Sequence, residues 1–445
     1  MGISNYSKLI DPPASEELIE KYFNLVLKRA LKNLNVTIIS FRGSGDISNL
    51  MYLIRNPKIL GEDTSDRIFV LVDLEKYDDD IAEGLRESLS FINNHYKSIL
   101  DTESQDKLNS VLAHETISQD LLNEFLYYIT YDKGFKLTFI IDNFRLACGN
   151  SVNSGALVSS LDSMKKVAPM NFSFIFICDC EVTEDTKDHL GGLSQIFIEN
   201  IVNGKELLFG KDSAEVLFKY HSGLRKLKYD RKYISRCSEL SYGDPSTLKQ
   251  LAAAVTDNEE IQEKIIKAKS VKETYDIVGK EWLDHRFKKI INSLSKDSLE
   301  YLGTLGDKKD NYPSDYLLFT GLVCLDESGG EPKLLNPLFE QYVLDNKNTL
   351  ISVGGLIKYS FADVPQKIRK TLSAKELQVY SLLVNRGGEL VARDEVAQCM
   401  WGNEWEDRYS DWAIDRLLSD MRGKLKNVDA EKEMKTVKGK GIMLV

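Results

Sequence analysis

Four short runs of apolar, β-prone residues restrict the fold of this chain more than any other feature. They are VTIISF (36–41), RIFVLVDL (67–74), LTFIIDN (137–143) and FSFIFICD (172–179). Amphipathic stretches with helical spacing separate them. Strands that are apolar on both faces are typical of a parallel sheet covered by helices. The sequence therefore predicts an α/β fold with a parallel sheet, in which SQIFIENI (194–201) supplies a fifth strand.

A mainly helical region follows the predicted sheet. Apolar residues have helical spacing through most of 231–356, as they do in ASEELIEKYFNLVLKRALKNL (14–34) before the first strand. Within this region, residues 312–344 predict a helix, a short hairpin with the turn DESGGEP, and a second helix. That order of elements is the arrangement of a winged helix.

The first apolar run leads into a glycine turn and a helix, in VTIISFRGSGDISNL. A phosphate-binding loop needs backbone N–H groups at a helix N-terminus, a lysine on the phosphates and a Ser/Thr hydroxyl on magnesium. Gly43, Ser44 and Gly45 supply the turn, but Asp46 and Ile47 occupy the lysine and hydroxyl positions. An aspartate about 4 Å from a phosphate charge costs about 4 kcal/mol at an effective dielectric of about 20. We expect the turn to persist without hydrolysis, with Asp46 capping the helix through first-turn amides.

A polar pair ends the third apolar run. Asp142 stands where a magnesium-binding aspartate would follow such a strand, and Asn143 where an acid would orient water. An amide cannot act as a base at neutral pH. Asp142 either retains a metal contact or is a polar strand end that caps the next helix. The pair, like the altered glycine turn, predicts a domain without ATPase activity.

The order of these strands, with GDPSTLKQLAAA (243–254) downstream, resembles the AAA-like P-loop NTPases of the STAND and origin-recognition type. In those families a Gly-x-Pro turn starts a lid helix beside the nucleotide, matched here by Gly243 and Pro245, although an ordinary helix-starting turn has the same residues. The resemblance covers about 14–344. It implies a degenerate site that binds ATP or ADP without hydrolysis. Its cofactor-binding residues are Gly43, Ser44, Gly45, Asp142 and Pro245.

The cysteines do not predict a metal site. The sequence has six cysteines and five scattered histidines, and no pair of CxxC spacings occurs. Only Cys178 and Cys180 are close together, and alternate residues of a strand point the same way, which is a poor geometry for a disulfide. We therefore expect reduced, mostly buried thiols and no bound metal.

The last 75 residues predict a second winged helix. The stretch AKELQVYSLLVN predicts a helix over 374–385, a glycine turn at Gly387 and Gly388 follows, and a second helix begins near Arg393. DWAIDRLLSDMRGKLK predicts a third helix over 411–426. Its apolar stripe consists of Ala413, Leu417, Met421 and Leu425. Two short strands around Gly439 and Gly441 form a β-wing.

These residues resemble the OmpR/PhoB-type winged helix-turn-helix of bacterial transcriptional regulators. The family's sequence pattern is met by Leu372, Glu376, Leu382, Leu383, Gly388, Arg393, Glu395, Trp401, Met421, Arg422, Lys424, Leu425, Thr436, Val437, Lys438, Gly439 and Gly441. The resemblance implies that the third helix enters the major groove of double-stranded DNA and that the wing lies along the minor groove or backbone.

The charge pattern of this module favours DNA contact. Residues 416–440 contain eight basic and four acidic residues, in a chain whose net charge is −10. Arg416 and Ser419 are placed for base edges, and Arg422, Lys424, Lys438 and Lys440 for phosphates. The full set of predicted DNA-binding residues is Arg393, Arg416, Ser419, Arg422, Lys424, Lys426, Thr436, Lys438 and Lys440. The alternative is a winged helix for protein contact whose charges form a solvated face.

We therefore expect a bacterial DNA-binding transcriptional regulator. Its segments are an NTPase-like domain with lid (1–257), a helical and winged-helix region (258–356), a linker (357–370) and a DNA-binding domain (371–445). The NTPase-like domain would be a non-hydrolysing sensor or a platform for homo-oligomers. A STAND-like switch in a phage-defence system and a protein-interaction scaffold are the alternatives. Neither a signal-peptide pattern nor a membrane-spanning run occurs, so we expect a cytoplasmic protein without membrane contact.

Overall fold

The fold is known from a computed structural model, and the chain divides into two compact units. The first unit is Met1–Cys148 with Gly155–Leu356, and the second is Gly149–Ser154 with Ile357–Val445. The structure describes residues 14–56, 64–75, 81–148, 154–182, 184–225, 229–257, 260–305, 312–325, 332–347, 365–369, 371–386, 388, 390–401, 409–426, 434–437 and 441–444.

A five-stranded parallel sheet forms the centre of the first unit. Its strands are β1 (Val36–Ile39), β2 (Arg67–Asp73), β3 (Lys136–Asp142), β4 (Phe172–Cys178) and β5 (Ile201–Asn203). The strand order is β2-β3-β4-β1-β5, so the strand that precedes the glycine turn lies between β4 and β5. The predicted α/β fold with a parallel sheet is confirmed.

Burial on both faces explains why these runs form strands. All seven residues of β4 are buried, including Phe172, Phe174 and Phe176. Phe139 of β3 stacks on Phe172 with ring centroids 4.8 Å apart. Because the helices cover both faces of the sheet, each strand can be apolar at every position.

The prediction for the fifth strand is wrong in its position. Residues Leu193–Phe197 form a short helix, and the strand follows later as Ile201–Asn203. Phe197 stacks on Phe144 with ring centroids 5.0 Å apart and also contacts Phe176. This aromatic packing against β4 and the turn after β3 holds residues Leu193–Phe197 as a helix, although they are β-prone.

Helices surround the sheet and form the region after it. In the first unit they are α1 (Glu16–Tyr22), α2 (Lys28–Leu31), α3 (Asp46–Arg55), α4 (Ile81–Tyr96), α5 (Thr102–Leu112), α6 (Gln119–Tyr127), α7 (Ser154–Val167), α8 (Glu184–Leu190), α9 (Leu193–Phe197), α10 (Lys211–Arg225), α11 (Arg231–Leu240), α12 (Pro245–Asp257), α13 (Glu260–Lys267), α14 (Val271–Val278), α15 (Asp284–Ile291), α16 (Lys296–Gly303), α17 (Asp315–Thr320) and α18 (Pro337–Asp345). A π-helical turn, Phe23–Leu27, joins α1 to α2, as the predicted first helix requires.

The winged helix predicted before residue 345 is confirmed. Helix α17 is followed by strands β6 (Val323–Cys324) and β7 (Lys333–Leu334), which pair antiparallel, and then by α18. The hydroxyl of Tyr316 in α17 donates to the backbone oxygen of Ser40 at 3.2 Å. The winged helix therefore contacts the turn that follows β1. The DESGGEP turn lies outside the described residues.

The second unit has its own hydrophobic core. It contains α19 (Gln366–Arg369), α20 (Ala374–Asn385), α21 (Arg393–Trp401), α22 (Asp411–Lys426) and the antiparallel pair β8 (Met434–Val437) and β9 (Gly441–Leu444). The predicted helices and wing are confirmed. Gly387 and Gly439 lie outside the described residues.

The predicted apolar stripe of α22 is only half right. The buried residues are Ile414, Leu418, Met421 and Leu425, whereas Ala413 and Leu417 are partly exposed. The helix is rotated by about one residue, so that Ile414 and Leu418 enter the core in place of Ala413 and Leu417.

Among the helices in the described residues, none has both the length and the apolar character needed to cross a bilayer.

Candidate functional site

The glycine turn after β1 has the backbone of a phosphate-binding loop. Gly43 and Gly45 have φ values of +82° and +95°, in the left-handed region that glycine adopts readily. Gly45 is the N-cap of α3, and the amide of Asn49 donates to its backbone oxygen at 3.2 Å. The predicted turn is present, at the carboxyl edge of a parallel sheet, where ligands bind in such folds.

Asp46 fills this turn with its own carboxylate. Its side chain is buried and accepts hydrogen bonds from Tyr22 Oη at 2.5 Å, from Ser40 Oγ at 2.6 Å and from Ser44 Oγ. The predicted capping role is wrong, because Gly45 is the N-cap and these three donors are hydroxyls rather than first-turn amides. Asp46 is the first residue of α3, where a negative charge also suits the helix dipole.

Burial, and then the negative charge of Asp46, raises the pKa of Tyr22 well above its usual range. Tyr22 therefore remains a neutral donor to the carboxylate at physiological pH. Three O–H groups donate to this one carboxylate, and hydrogen bonds to a charged acceptor are stronger than neutral ones. The anion in this turn is thus a side chain of the protein, and it takes up the hydroxyls of Ser40 and Ser44.

The lid turn lies against the glycine turn. Asp244 precedes α12, and its carboxylate accepts from the amides of Ser246 at 2.9 Å and Thr247 at 3.2 Å. A Cβ added at Gly45 would lie 3.2 Å from Pro245 Cγ. The structure therefore brings together two of the predicted cofactor-binding residues, Gly45 and Pro245.

Arg286 of α15 lies beside the glycine turn, which the sequence did not indicate. A Cβ added at Gly43 would lie 3.1 Å from its guanidinium carbon. Its Nη2 lies 3.2 Å from Asp244 Oδ1, and its guanidinium stands over the ring of Phe41 at 5.7 Å. The side chain is 6% exposed, so this is a buried cation next to the turn. Nothing distinguishes Arg286 from other arginines of an amphipathic helix in the sequence.

A group of carboxylates follows the neighbouring strands. Asp142 ends β3 beside Asp73 of β2, and the side-chain amide of Asn143 donates to Asp73 Oδ1 at 2.8 Å. The backbone amide of Asn143 donates to Asp142 Oδ1 at 2.9 Å. Asn143 has a φ of +56° and precedes the 3-10 turn Phe144–Leu146, where its side chain makes no capping bond. Asp142 thus accepts an amide of the following turn, as a polar strand end would.

Two carboxyl groups at this edge, those of Asp142 and Asp179, have raised pKa values. Burial raises the pKa of Asp142 to about 6, and the charge of Asp73 adds to the effect. Burial raises the pKa of Asp179, which follows β4, to about 7, although the neighbouring Arg145 lowers it. Arg145 Nε lies 3.4 Å from Asp179 Oδ2. The edge is therefore acidic, with two carboxyl groups that change charge near neutral pH.

In the second unit, α22 has a polar exposed face. Arg416 and Ser419 are exposed there, opposite the buried stripe. The guanidinium of Arg416 stands over the ring of Trp412 at 5.3 Å, and Trp412 is 69% exposed. Asp415 and Asp420 share this exposed side. Two predicted base-contacting residues therefore lie on one accessible helix face.

Arg422, Thr436 and Lys424 contact other parts of the unit. Arg422 Nε donates to the backbone oxygen of Met434 at 3.2 Å, and its Nη2 donates to Thr436 Oγ1. Lys424 Nζ lies 2.6 Å from Oε2 of Glu376, the capping-box acid of α20. These residues join α22 to the wing and to α20.

Arg393 binds acids at the start of α22, and its Nε and Nη2 lie 2.8 Å from Asp411 Oδ1 and Asp415 Oδ1 respectively. Lys426 is exposed at the end of α22. Lys438 and Lys440 lie outside the described residues. The DNA-contacting role of all these residues remains a prediction.

Three solved structures are similar to this chain at low sequence identity. A Walker-type ATPase of Pyrococcus abyssi has 15% identity and a TM-score of 0.42, over 74% of this chain and 95% of its own. The ORC2 protein of Aeropyrum pernix, in its ADP form, has 13% identity and a TM-score of 0.40, over 78% and 97%. The ORC1 protein of Aeropyrum pernix, in complex with DNA, has 12% identity and a TM-score of 0.40, over 98% and 90%.

No curated protein matches the chain significantly by sequence. A family model does match its second unit. The model is described as "Transcriptional regulatory protein, C terminal" and covers residues 367–444, the part with the three helices and the wing. Residues 367–444 therefore match the family model of the OmpR/PhoB-type C-terminal DNA-binding domain.

Proposed function

We propose that the protein is a DNA-binding transcriptional regulator of bacterial type, in which the second unit binds double-stranded DNA and the first unit is a sensor that does not hydrolyse nucleotide. The family match of residues 367–444 carries the DNA-binding part of this proposal. The accessible face of α22, with Arg416 and Ser419, supports it. An arginine on an exposed recognition helix is the commonest way to read guanine in the major groove.

The sensor role rests on the turn after β1. A nucleotide phosphate in this turn would meet the Asp46 carboxylate, whose three hydroxyl donors include both serines of the turn. One unit charge at about 4 Å costs about 4 kcal/mol at an effective dielectric of about 20. ATP or ADP would therefore bind weakly, through Arg286 and the backbone of the turn, and Asn143 cannot act as the base for hydrolysis.

A protein-contact role for the second unit is the other candidate. Asp411, Asp415 and Asp420 are exposed on the same helix as Arg416 and oppose DNA phosphates. A surface with both acidic and basic side chains suits a protein-interaction scaffold or a switch in a phage-defence system. If the protein oligomerises, paired modules would offset weak binding by each one.

Selection of duplexes from a random pool by the full-length protein tests the proposal. We expect an enriched motif and a binding constant that weakens steeply with salt, because phosphate contacts release counterions. Arg416→Ala should relax the motif, whereas Lys375→Ala, which removes an exposed positive charge from α20, should leave the motif unchanged. If no duplex is enriched at low salt, the second unit is a protein-contact module.

A further inference from the structure

Three cysteines meet at the carboxyl edge of β3 and β4. Cys178 ends β4, Cys180 lies two residues beyond it, and Cys148 follows the 3-10 turn after β3. The three Sγ atoms lie within 4.8 Å of one another, and those of Cys178 and Cys180 are 3.6 Å apart. The sequence predicted that only Cys178 and Cys180 are close together, because Cys148 is distant from both of them in the chain.

These separations suit a metal ion bound by thiolates. With Zn–S bonds of about 2.3 Å, two thiolates of a tetrahedral site are about 3.8 Å apart. Thiolate sulfurs select soft cations such as Zn²⁺ and Cu⁺ over Mg²⁺ and Ca²⁺. The six cysteines are in the reduced form, so these sulfurs can bind an ion without prior reduction of a disulfide.

The surroundings also suit a bound ion. The three side chains are 8%, 0% and 2% exposed for Cys148, Cys178 and Cys180. They are thus shielded from water, and Cys148 retains the most contact with solvent. Arg145 forms ion pairs with Glu75 and with Asp179, the residue between two of the ligands in the chain. In the part of the chain that the structure describes, this is the only such group of three metal-ligating side chains.

We propose that Cys148, Cys178 and Cys180 form a three-thiolate site for one thiophilic cation of the Zn²⁺ or Cu⁺ kind. The three thiols release their protons to the solvent when the ion binds. The fourth position of a Zn²⁺ ion would be taken by water or another small ligand. Binding of this ion would act on the first unit without any nucleotide.

The site is connected to the glycine turn through the backbone. The amide of Ser40 donates to the backbone oxygen of Cys178 at 3.0 Å, and the Ser40 hydroxyl binds Asp46. Tyr316 of the winged helix donates to the backbone oxygen of the same serine. An ion that fixes the end of β4 therefore stabilises the turn and its contact with α17. We expect the metal to raise the melting temperature of the first unit.

The test uses the full-length protein, reduced and freed of metal. Titration with Co²⁺, as a spectroscopic substitute for Zn²⁺, should give one ion per chain and a thiolate-to-cobalt absorption band. A parallel titration with Cu⁺ against a chromophoric chelator measures preference between the two cations. Cys148→Ala, Cys178→Ala and Cys180→Ala should each weaken binding more than about tenfold, since loss of an outer-shell partner alone costs about 10–100-fold.

Matched controls are available in the same chain. Cys237→Ala removes another buried thiol and Cys324→Ala an exposed one, and neither should change binding. Alkylation of the wild-type protein gives a readout that does not depend on the folding of variants. Zn²⁺ should protect Cys148, Cys178 and Cys180 from a maleimide, as identified by mass spectrometry of peptides. Failure to bind either ion, or binding and protection that depend on Cys324 or Cys399, would overturn the proposal.

Discussion

The phenol of Tyr22 donates a hydrogen bond of 2.5 Å to the carboxylate of Asp46, and so joins α1 to the turn after β1. The same carboxylate binds both serines of the turn. In a phosphate-binding loop, hydroxyl and backbone N–H groups at these positions bind the phosphates of a nucleotide. Here the anion is covalently part of the chain, so the turn is stable without a nucleotide.

Asp46→Lys combined with Ile47→Thr should strengthen nucleotide binding. The exchange replaces the repelling charge with an attracting one and restores the hydroxyl for magnesium. We expect ADP with Mg²⁺ to bind at least about tenfold more tightly than to wild type, measured by calorimetry on protein whose fold is checked by its melting curve. Asp46→Asn, which removes the charge without adding a cation, should give a smaller gain. Turnover of ATP by the wild-type protein at about 1 s⁻¹, an ordinary enzymatic rate, would contradict this account of the turn.

Asp142 should make the stability of the first unit fall as pH rises. Burial raises its folded-state pKa to about 6, above the value of about 3.9 for an exposed aspartate. The folded chain holds this proton more tightly than the unfolded chain, so the stabilisation is complete below about pH 4 and is lost by about pH 6–7. Asp142→Asn mimics the protonated acid and should gain about 1–3 kcal/mol relative to wild type between those pH values.

Urea unfolding at a series of pH values, in metal-free buffer, measures the effect of Asp142→Asn. The matched control is Asp188→Asn, which changes an exposed aspartate of α8. This variant controls for the loss of one negative charge from the first unit. A constant difference for Asp142→Asn would show that the carboxyl group has the same pKa in the folded and unfolded chains, and would contradict this prediction.

The third helix and the wing should have separate roles on DNA. Arg416→Ala should cost about 1–3 kcal/mol on the selected site and reduce discrimination between sequences. Lys438→Ala and Lys440→Ala should weaken all sequences about equally, and each should lower the salt dependence by about one ion. Salt titrations on selected and random duplexes distinguish the two effects. A uniform loss for Arg416→Ala would reassign that arginine to a phosphate.

Lys424 should contribute to the stability of the second unit, in addition to the positive charge that it supplies. Its ammonium neutralises Glu376, whose carboxylate is 6% exposed and caps α20. Lys424→Ala leaves this carboxylate without its partner and should lower the melting temperature of the second unit. Lys426→Ala removes the same charge two residues later from an exposed position and should leave the melting temperature unchanged. Equal melting of both variants would mean that the Lys424–Glu376 pair contributes nothing to stability, as many surface pairs do.

A fragment of residues 363–445 should fold alone. The second unit has its own buried core, with Leu377, Leu383, Val396, Leu418 and Ile442 among its members. A core of this kind supports a cooperative transition in a small domain. We expect a single thermal transition, and tighter DNA binding than by full-length monomer because the acidic first unit is removed. A fragment that is digested rapidly and lacks a transition would place the domain boundary elsewhere.

The sequence by itself determined the secondary structure that depends on local pattern. The four apolar runs became strands because a parallel sheet buries both faces of each strand. The helices Ala374–Asn385 and Asp411–Lys426 have the predicted bounds, since Ser373 and Glu376 form a capping box and an apolar stripe runs along the second helix. The family resemblance of residues 367–444 rests on the same local patterns.

Only the tertiary structure decided which side chains meet. The contact of Asp46 with Tyr22, the position of Arg286 beside Gly43, and the meeting of Cys148 with Cys178 all join residues that are far apart in the chain. A packed aromatic cluster made a helix of Leu193–Phe197, against its β propensity. Core packing likewise chose Ile414 and Leu418 over their neighbours for the buried side of α22. Periodicity identifies an apolar face only to within about one residue, because adjacent helical positions differ by about 100° while the stripe itself is about that wide.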